Sequence, residues 1–204
     1  VVDALTRLRP EDGVVGEEGT TRPSRSGRTW VIDPVDGTYN FATGTLYWCS
    51  ALALRDADGV LVGAVEHRGA GESWLAVRGA GTFERGVAVP PLEDAPLSAV
   101  CLATYLHPAR IADPSIREPW LAATRGAATM RMLGSGSCEL AAVAAGRIGA
   151  WAQPDVLEWD WLPGKALVEG AGGSTDVVDV AGHPWHLAGT PSAVADLRRA
   201  LEAG

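Results

Sequence analysis

Lysine is nearly missing from this chain of 204 residues: Lys165 is the only one, and every other basic side chain apart from histidine is an arginine. Acids outnumber lysine plus arginine by 25 to 17, leaving a formal charge of −8. A protein that grips a nucleic-acid backbone needs a basic stripe; none is present, so no nucleic-acid partner is expected. The same charge would repel a phosphorylated small molecule unless metal ions supplied positive charge locally. Cysteine is scarce and odd in number. Cys49, Cys101 and Cys138 are widely spaced in apolar surroundings, and no pair has zinc-ligand or framework-disulfide character. Buried free thiols in a reducing cytoplasm are the expectation. Long apolar runs are absent too: none approaches the ~20 residues of a membrane span, and no secretory signal is visible, so no membrane partner is expected.

What remains is ordinary globular composition, 47% hydrophobic and 21% charged, in a chain long enough for one substantial domain burying roughly 70% of its extended surface. The eight tryptophans read as core or rim anchors. Val1 to Leu8 looks like the tail of an amphipathic helix. Apolar runs predict strands at 29–33, 46–55, 60–66, 72–77 and 81–84, with Asp56-Ala57-Asp58-Gly59 turning a hairpin over 46–66. Residues 19–28 read as the one unstructured tract. Pro90-Pro91, followed by Pro96, marks the best internal boundary. It divides an N-terminal lobe (1–90) from a C-terminal lobe (91–204), the two forming one compact unit. Beyond it the pattern predicts strands near 98–104, 129–133, 150–152 and 174–178. Helices are expected near 115–125, 137–145 and 160–171 and from Ser192 onward, with a turn at Gly182. Two halves of mixed strand and helix without a repeat suggest an α/β (α+β) sandwich in two lobes.

The most informative segment is Trp30-Val31-Ile32-Asp33-Pro34-Val35-Asp36-Gly37-Thr38-Tyr39-Asn40-Phe41. An apolar strand breaks at Pro34, delivers two carboxylates three residues apart, and closes on Gly37-Thr38 ahead of a helical turn. Oxygen-only ligands at such spacing suit a hard divalent cation such as magnesium. An Asp-Pro…Asp-Gly surface turn accounts for the same letters. Upstream lies Gly16-Glu17-Glu18, which alone reads as a solvated loop. Far downstream lies Trp159-Asp160-Trp161-Leu162-Pro163-Gly164. There Asp160 is placed to N-cap the following helix, because Pro163 is tolerated in a first turn, and Gly172-Gly173 ends that helix. As a bare cap, Asp160 needs no function.

Taken together, the Gly-Glu-Glu loop, the Trp-x-Ile-Asp-Pro-x-Asp-Gly-Thr-x-Asn-Phe strand-turn and the late Trp-Asp helix ending in Gly-Gly resemble the inositol monophosphatase family. Members are magnesium-dependent, lithium-sensitive sugar-phosphate phosphatases related to the fructose bisphosphatases. The resemblance runs from about Val1 to the C-terminus and includes Leu133-Gly134-Ser135-Gly136-Ser137. It implies layered helices and sheets with the site between lobes, a homodimer, and two or three Mg²⁺ ions. By that resemblance Glu17, Asp33 and the Val35 carbonyl hold one ion, and Asp33, Asp36 and Asp160 hold the second. Ions about 3.5–4 Å apart clamp the attacking water and leaving oxygen of an in-line displacement. Glu18 is a candidate for an optional third ion, and Glu158 reads as a surface or supporting acid.

The Gly37 and Thr38 amides are expected to bind phosphate oxygens, with Thr38 orienting the water through its hydroxyl. Glu17, Asp36 and Thr38 are the catalytic candidates. Gly134, Ser135 and Gly136, with free amides, are expected to form a second substrate wall, and Asp160 also borders the substrate; an ordinary helix start accounts for the same glycines. Gln153 stands where inositol-specific relatives place a Glu, and it carries no charge. The expected substrate is therefore a small phosphorylated polyol, inositol-1-phosphate-like, or an amino-alcohol. Histidinol phosphate and fructose-1,6-bisphosphate are alternatives within the family, and a catalytically impaired binding relative is the alternative of another class. Pro163-Gly164 departs from the family's usual small residues, with Asp160 expected to keep its place. Trp30 and Trp159 are given packing roles, His107 is a candidate to face substrate, and His183 and His186 are expected to be exposed. The family carries a further Asp in a segment preceding this sequence, so this 204-residue form is expected to bind Mg²⁺ and phosphate but to turn over poorly. Asp36→Asn is expected to keep the fold.

Overall fold

A computed structural model describes residues 1–203. It is a mixed α/β sandwich with two sheets and, among the described residues, six α-helices. The first helix, α1 (Val2–Leu8), precedes β1 (Gly13–Gly16), β2 (Thr21–Arg22) and β3 (Thr29–Asp36), and a one-turn helix, α2 (Thr38–Ala42), follows. Next come β4 (Cys49–Asp56), β5 (Gly59–His67), β6 (Glu72–Val77), β7 (Gly81–Glu84) and β8 (Val87–Ala88). All eight strands form one sheet in the order β2-β1-β3-β4-β5-β6-β7-β8. The predicted hairpin is the antiparallel β4–β5 pair, turned at Asp56 and Gly59.

The second half contributes β9 (Cys101–Thr104), α3 (Pro114–Arg125), β10 (Thr129–Arg131), α4 (Gly136–Ala144), β11 (Ala150–Pro154), α5 (Glu158–Gly170), β12 (Ser174–Val180), β13 (His183–Gly189) and α6 (Pro191–Glu202). Its five strands form a second sheet in the order β10-β9-β11-β13-β12. Gly204, the last residue of the expected second lobe, lies outside the described residues.

Three apolar clusters stack these layers. The largest holds α4 and α5 between the two sheets, with Trp74, Leu140, Trp151, Trp161 and Leu167 buried together. A second packs α3 and α6 onto the other face of the second sheet through Ile116, Trp185, Leu187 and Leu197. A third seats Leu5 of α1 against Val14 and Ile32 on the outer face of the first sheet. The order is therefore helix, sheet, helix pair, sheet, helix pair. Because α5 comes from the second half of the chain and packs on the first sheet, neither half completes its core alone.

Several expectations change. Residues 13–16 form β1, which runs parallel to β3, and His183–Gly189 forms β13, the strand missed after the Gly182 turn. Its burial pattern is nearly continuous, so it lacks the alternation that marks a half-buried strand. His186 lies within it and is buried, not exposed. The tract 19–28 is tied down: Arg22 reaches the carbonyls of Asp12 (3.0 Å) and Arg9 (3.1 Å), and the Ser26 hydroxyl donates to Asp12 at 2.6 Å. Asp160 is not an N-cap. Leu157 occupies that position, with α5 starting at Glu158, so Asp160 is third in the helix and Pro163 lies in the second turn. Pro163 is buried there and withdraws one N–H from the helix ladder. The end of α5 follows expectation: Gly172 has φ +82°, and Gly173 N–H donates to the Val168 carbonyl at 2.9 Å in a Schellman closure.

The α5–sheet contact is unusually close. A Cβ on Gly63 of β5 would lie 2.4 Å from the Pro163 carbonyl oxygen, and backbone cannot retreat as a side chain can. Gly63→Ala is expected to destabilise the fold by about 1–3 kcal/mol, read as a lower urea midpoint with unchanged slope. An unaltered midpoint would show that α5 is free to slide.

Candidate active site

The site is built where β3 ends. The first five residues of β3 pair in register with β4 up to Asp33, the register shifts, and pairing resumes at Asp36 opposite Cys49. The break predicted at Pro34 is thus a bulge inside a continuing strand, which suits a residue without an N–H. Ser50 clasps it by donating from Oγ to the Pro34 carbonyl at 2.7 Å. Across the bulge Asp33 Oδ1 accepts the Val35 N–H at 2.9 Å, which aims Asp33 and Asp36 to one side. Gly37 then adopts φ +94°, and a Cβ there would sit 3.1 Å from both the Gly134 and the Tyr47 carbonyl oxygens. Only glycine meets both demands.

Parallel pairing of β1 with β3 ends at Gly16 opposite Ile32, so Glu17 emerges beside Asp33, its N–H donating to the Ile32 carbonyl at 3.2 Å. The first turn of α5 brings Asp160 from the other side. Carboxylate oxygens of Asp33, Asp36 and Asp160 all fall within 4.8 Å of one another. Every residue predicted for the site, Glu17, Asp33, Val35, Asp36, Gly37, Thr38, Gly134, Ser135, Gly136, Gln153 and Asp160, lines one cavity of ≈ 380 Å³. Glu17 stands at its exposed edge, outside the tight triplet. Glu18 is exposed, and Glu158 pairs with Arg55 at 3.3 Å.

No lysine or arginine lines this cavity among the described residues, and the acids pay for it. Burial, then the charges of Asp36, Glu17 and Asp160, push the Asp33 carboxyl far above the carboxylate range. Burial followed by Asp36 and Glu17 raises Asp160 to about 7. Asp36 is raised by burial, against hydrogen bonds that favour its charged form. Hard oxygen donors that cannot ionise together without a cation fit a divalent magnesium-like ion. Asp33, Asp36, Asp160, Glu17 and the Val35 carbonyl are the groups able to hold it.

The expected free amides of the second wall are not free. Gly136 N–H donates to Asp36 Oδ1 at 3.2 Å, and Ser137 N–H donates to Asp36 Oδ2. The Asp36 carboxylate therefore receives the positive end of α4 and ties the two halves together. Asp36→Asn would place an amide NH₂ against one of these donors, so the expectation that this change spares the fold is withdrawn. Gly134 N–H is also spent, on Glu139 Oε1 at 3.3 Å. Ser135 is buried as the N-cap of α4, its Oγ accepting from Cys138 N–H at 3.4 Å. The Thr38 hydroxyl donates to the Val35 carbonyl at 3.0 Å, leaving its oxygen lone pairs facing the cavity side. His107 is not part of the cavity lining; its Nδ1 accepts the Ala109 N–H at 3.1 Å as the cap of a short turn.

Two residues in this region were not singled out from sequence. Glu139 is buried, accepts Leu133 N–H (2.9 Å) and Trp151 Nε1–H (2.9 Å), and is raised to about 7 by burial. Its signal was a lone acid in a helix otherwise made of small and apolar residues. Asn40 donates from Nδ2 to the Tyr47 and Leu133 carbonyls, each at 2.8 Å, so Leu133 is gripped from both lobes.

Comparison with known proteins agrees with this geometry. The profile described as "Inositol monophosphatase family" matches residues 1–203. A histidinol-phosphatase of Mycobacterium tuberculosis is 35% identical over 89% of this chain and 72% of its own length. An inositol-1-monophosphatase of Bacillus subtilis is 29% identical over 94% and 75%. The solved inositol monophosphatase of Anabaena superposes with a TM-score of 0.88 at 26% identity, covering 100% of this chain and 83% of that one.

Raised carboxyl pKa values fix a sign for stability. The unfolded chain ionises these groups near pH 4, while the metal-free fold keeps Asp160 and Glu139 protonated to about pH 7. The folded state thus binds more protons, and their contribution to stability falls as pH rises across that window. Added Mg²⁺ binds the ionised acids, so its Tm increment is expected to be larger at pH 8 than at pH 5. Asp160→Asn should raise the metal-free Tm at pH 8 and shrink the Mg²⁺ increment. Equal increments at both pH values would count against a cation site here.

Proposed function

The chain belongs to the inositol monophosphatase family, and from that premise we propose that its cavity hydrolyses small phosphate monoesters with magnesium bound to Asp33, Asp36, Asp160 and Glu17. The observation that carries this is the triplet of carboxylates within 4.8 Å, uncompensated by any basic side chain, beside a left-handed glycine turn. Bound magnesium supplies the charge that lets the acids ionise together and polarises a phosphoryl group and water. The chain's own groups supply position. The amides of Gly37 and Thr38 begin α2, where N–H groups have no helical partner, and they receive phosphate oxygens. The Thr38 hydroxyl donates to the Val35 carbonyl, so its oxygen is left to accept a hydrogen bond from the attacking water, with the exposed Glu17 carboxylate beside it. The water oxygen bonds to phosphorus as the phosphorus–ester oxygen bond breaks, and one of the two water protons ends on the departing alcohol while the other stays on the phosphate.

Relatives are described as acting on inositol phosphate, on histidinol phosphate and, in Thermotoga maritima, as a fructose-1,6-bisphosphatase/inositol-1-monophosphatase. The substrate class is accordingly a small phosphorylated alcohol, for which the relatives' names offer polyols and amino-alcohols, with neutral Gln153 on the cavity wall. Two or three ions, inhibition by lithium, a homodimer and a cytoplasmic setting complete the reading, as does the division into lobes 1–90 and 91–204 of one catalytic unit. Three free thiols, two of them buried, suit the cytoplasmic setting. No helix among the described residues is long and apolar enough to cross a membrane.

Mg²⁺-dependent phosphate release from inositol 1-phosphate is the direct test. Asp160→Asn is expected to lower kcat by about 10²–10³-fold while circular dichroism stays unchanged, and Li⁺ is expected to inhibit the wild type. Full turnover without a divalent ion, or by Asp160→Asn, would falsify the reading.

A further inference from the structure

We propose, resting on the phosphomonoesterase reading, that the preferred substrates are esters of alcohols bearing a flat aromatic ring, received by Tyr39, Tyr105 and Met132 at the cavity mouth. The floor of the cavity is the acid triplet, with Asp33 and Asp36 buried and Asp160 half-buried. Its outer lining is different in kind. Tyr39 on α2 is 82% exposed, Tyr105 after β9 is 36% exposed, and Met132 after β10 is 44% exposed. Three separate elements thus present large, polarisable side chains to one opening. Tyr105 is braced edge-on by His107, with ring centroids 6.3 Å apart, so its face is held rather than free to collapse. Tyrosine faces and a thioether favour flat π-systems over saturated surfaces.

The hydrogen-bond inventory points the same way. A polyol exchanges several hydroxyl–water bonds on entering a site and needs as many partners in return. Most polar groups of this lining are already committed. Asn40 Nδ2 serves two carbonyls, the Gly134 and Gly136 amides serve Glu139 and Asp36, and Glu139 accepts three donors. The Ser135 hydroxyl is buried as a cap, and the Thr38 hydroxyl donates to the Val35 carbonyl. Apart from the tyrosine hydroxyls and the acceptor-only Asn40 Oδ1, Gln153 is the neutral side chain left to address the alcohol. One amide matches a ring with a single polar edge better than a ring of hydroxyls.

The test compares kcat/KM for five esters with Mg²⁺: 2-phenylethyl phosphate, 2-(imidazol-4-yl)ethyl phosphate, 2-cyclohexylethyl phosphate, inositol 1-phosphate and glycerol 2-phosphate. The first three share one leaving-group type and differ in the flatness and polarity of the ring. Both flat-ring esters are expected to exceed the cyclohexyl ester by about 3–10-fold and to exceed both polyol esters. Tyr39→Ala and Tyr105→Ala should drive the flat-to-cyclohexyl ratio toward one, while Tyr39→Phe and Tyr105→Phe, which keep the ring face, should preserve it. Polyol esters turning over faster than flat-ring esters would overturn the proposal while leaving the phosphomonoesterase reading standing. A flat-to-cyclohexyl ratio that both alanine variants leave intact would do the same. Absence of Mg²⁺-dependent turnover for all five would overturn both.

Discussion

Everything in this molecule turns on the repulsion among Asp33, Asp36 and Asp160, held together with oxygens inside 4.8 Å of one another. Such a cluster persists only if the surrounding fold over-determines it. Asp33 is pinned by its own bulge through the Val35 N–H. Asp160 rides the first turn of α5, a helix wedged between two sheets. Asp36 is held by the N-terminal amides of α4, and so the same carboxylate that repels its neighbours also joins the halves of the chain. Two helix N-termini face the acid cluster, and their partial positive charge offsets some of its cost. A bound divalent cation would offset the rest.

That double role of Asp36 couples cation binding to lobe contact. The interface around it is short of slack. Gly37 abuts the Gly134 carbonyl, and Asn40 and Glu139 grip the Leu133–Gly134 peptide units from opposite sides. A shift of α4 relative to β3 therefore moves an acid of the cluster and the substrate wall together. The wall is a fixed scaffold, its donors spent on structure, where the sequence pattern alone suggested amides waiting for a ligand.

The parts legible in the sequence were those set by local chemistry. Strands β4 to β7, α3 and α6 followed from alternation, turns and caps. The strand-turn of Trp30–Phe41 was legible because proline, glycine and paired acids each have few alternatives there. What was not legible depended on distant partners. Strand β13 has no alternation because both its faces are covered. The start of α5 was misplaced because Pro163 was read as a first-turn residue, whereas the buried setting tolerates it in the second turn. The amide of Gly136 is not legible as spent because its acceptor, Asp36, comes from 100 residues away, and that of Gly134 because Glu139, five residues on, turns back to it from the first turn of α4.

Electrostatics also orders what this cavity can bind. A phosphate dianion approaching three acids and no basic side chain is repelled, and the net charge of −8 adds to that at long range. Once cations occupy the acids, the same anion is attracted. Anion and cation sites therefore reinforce one another, and the linkage is reciprocal: whatever factor the cation adds to phosphate affinity, phosphate adds to cation affinity. The neutral mouth takes no part in this exchange. Tyr39, Tyr105, Met132 and Gln153 carry no charge, so contacts there act on the alcohol alone. On the proposed reading, a charged floor that fixes the reaction is separate from an uncharged mouth that chooses the alcohol, so substitutions at Tyr105 and Gln153 would change substrate preference without disturbing the balance of charge beneath them.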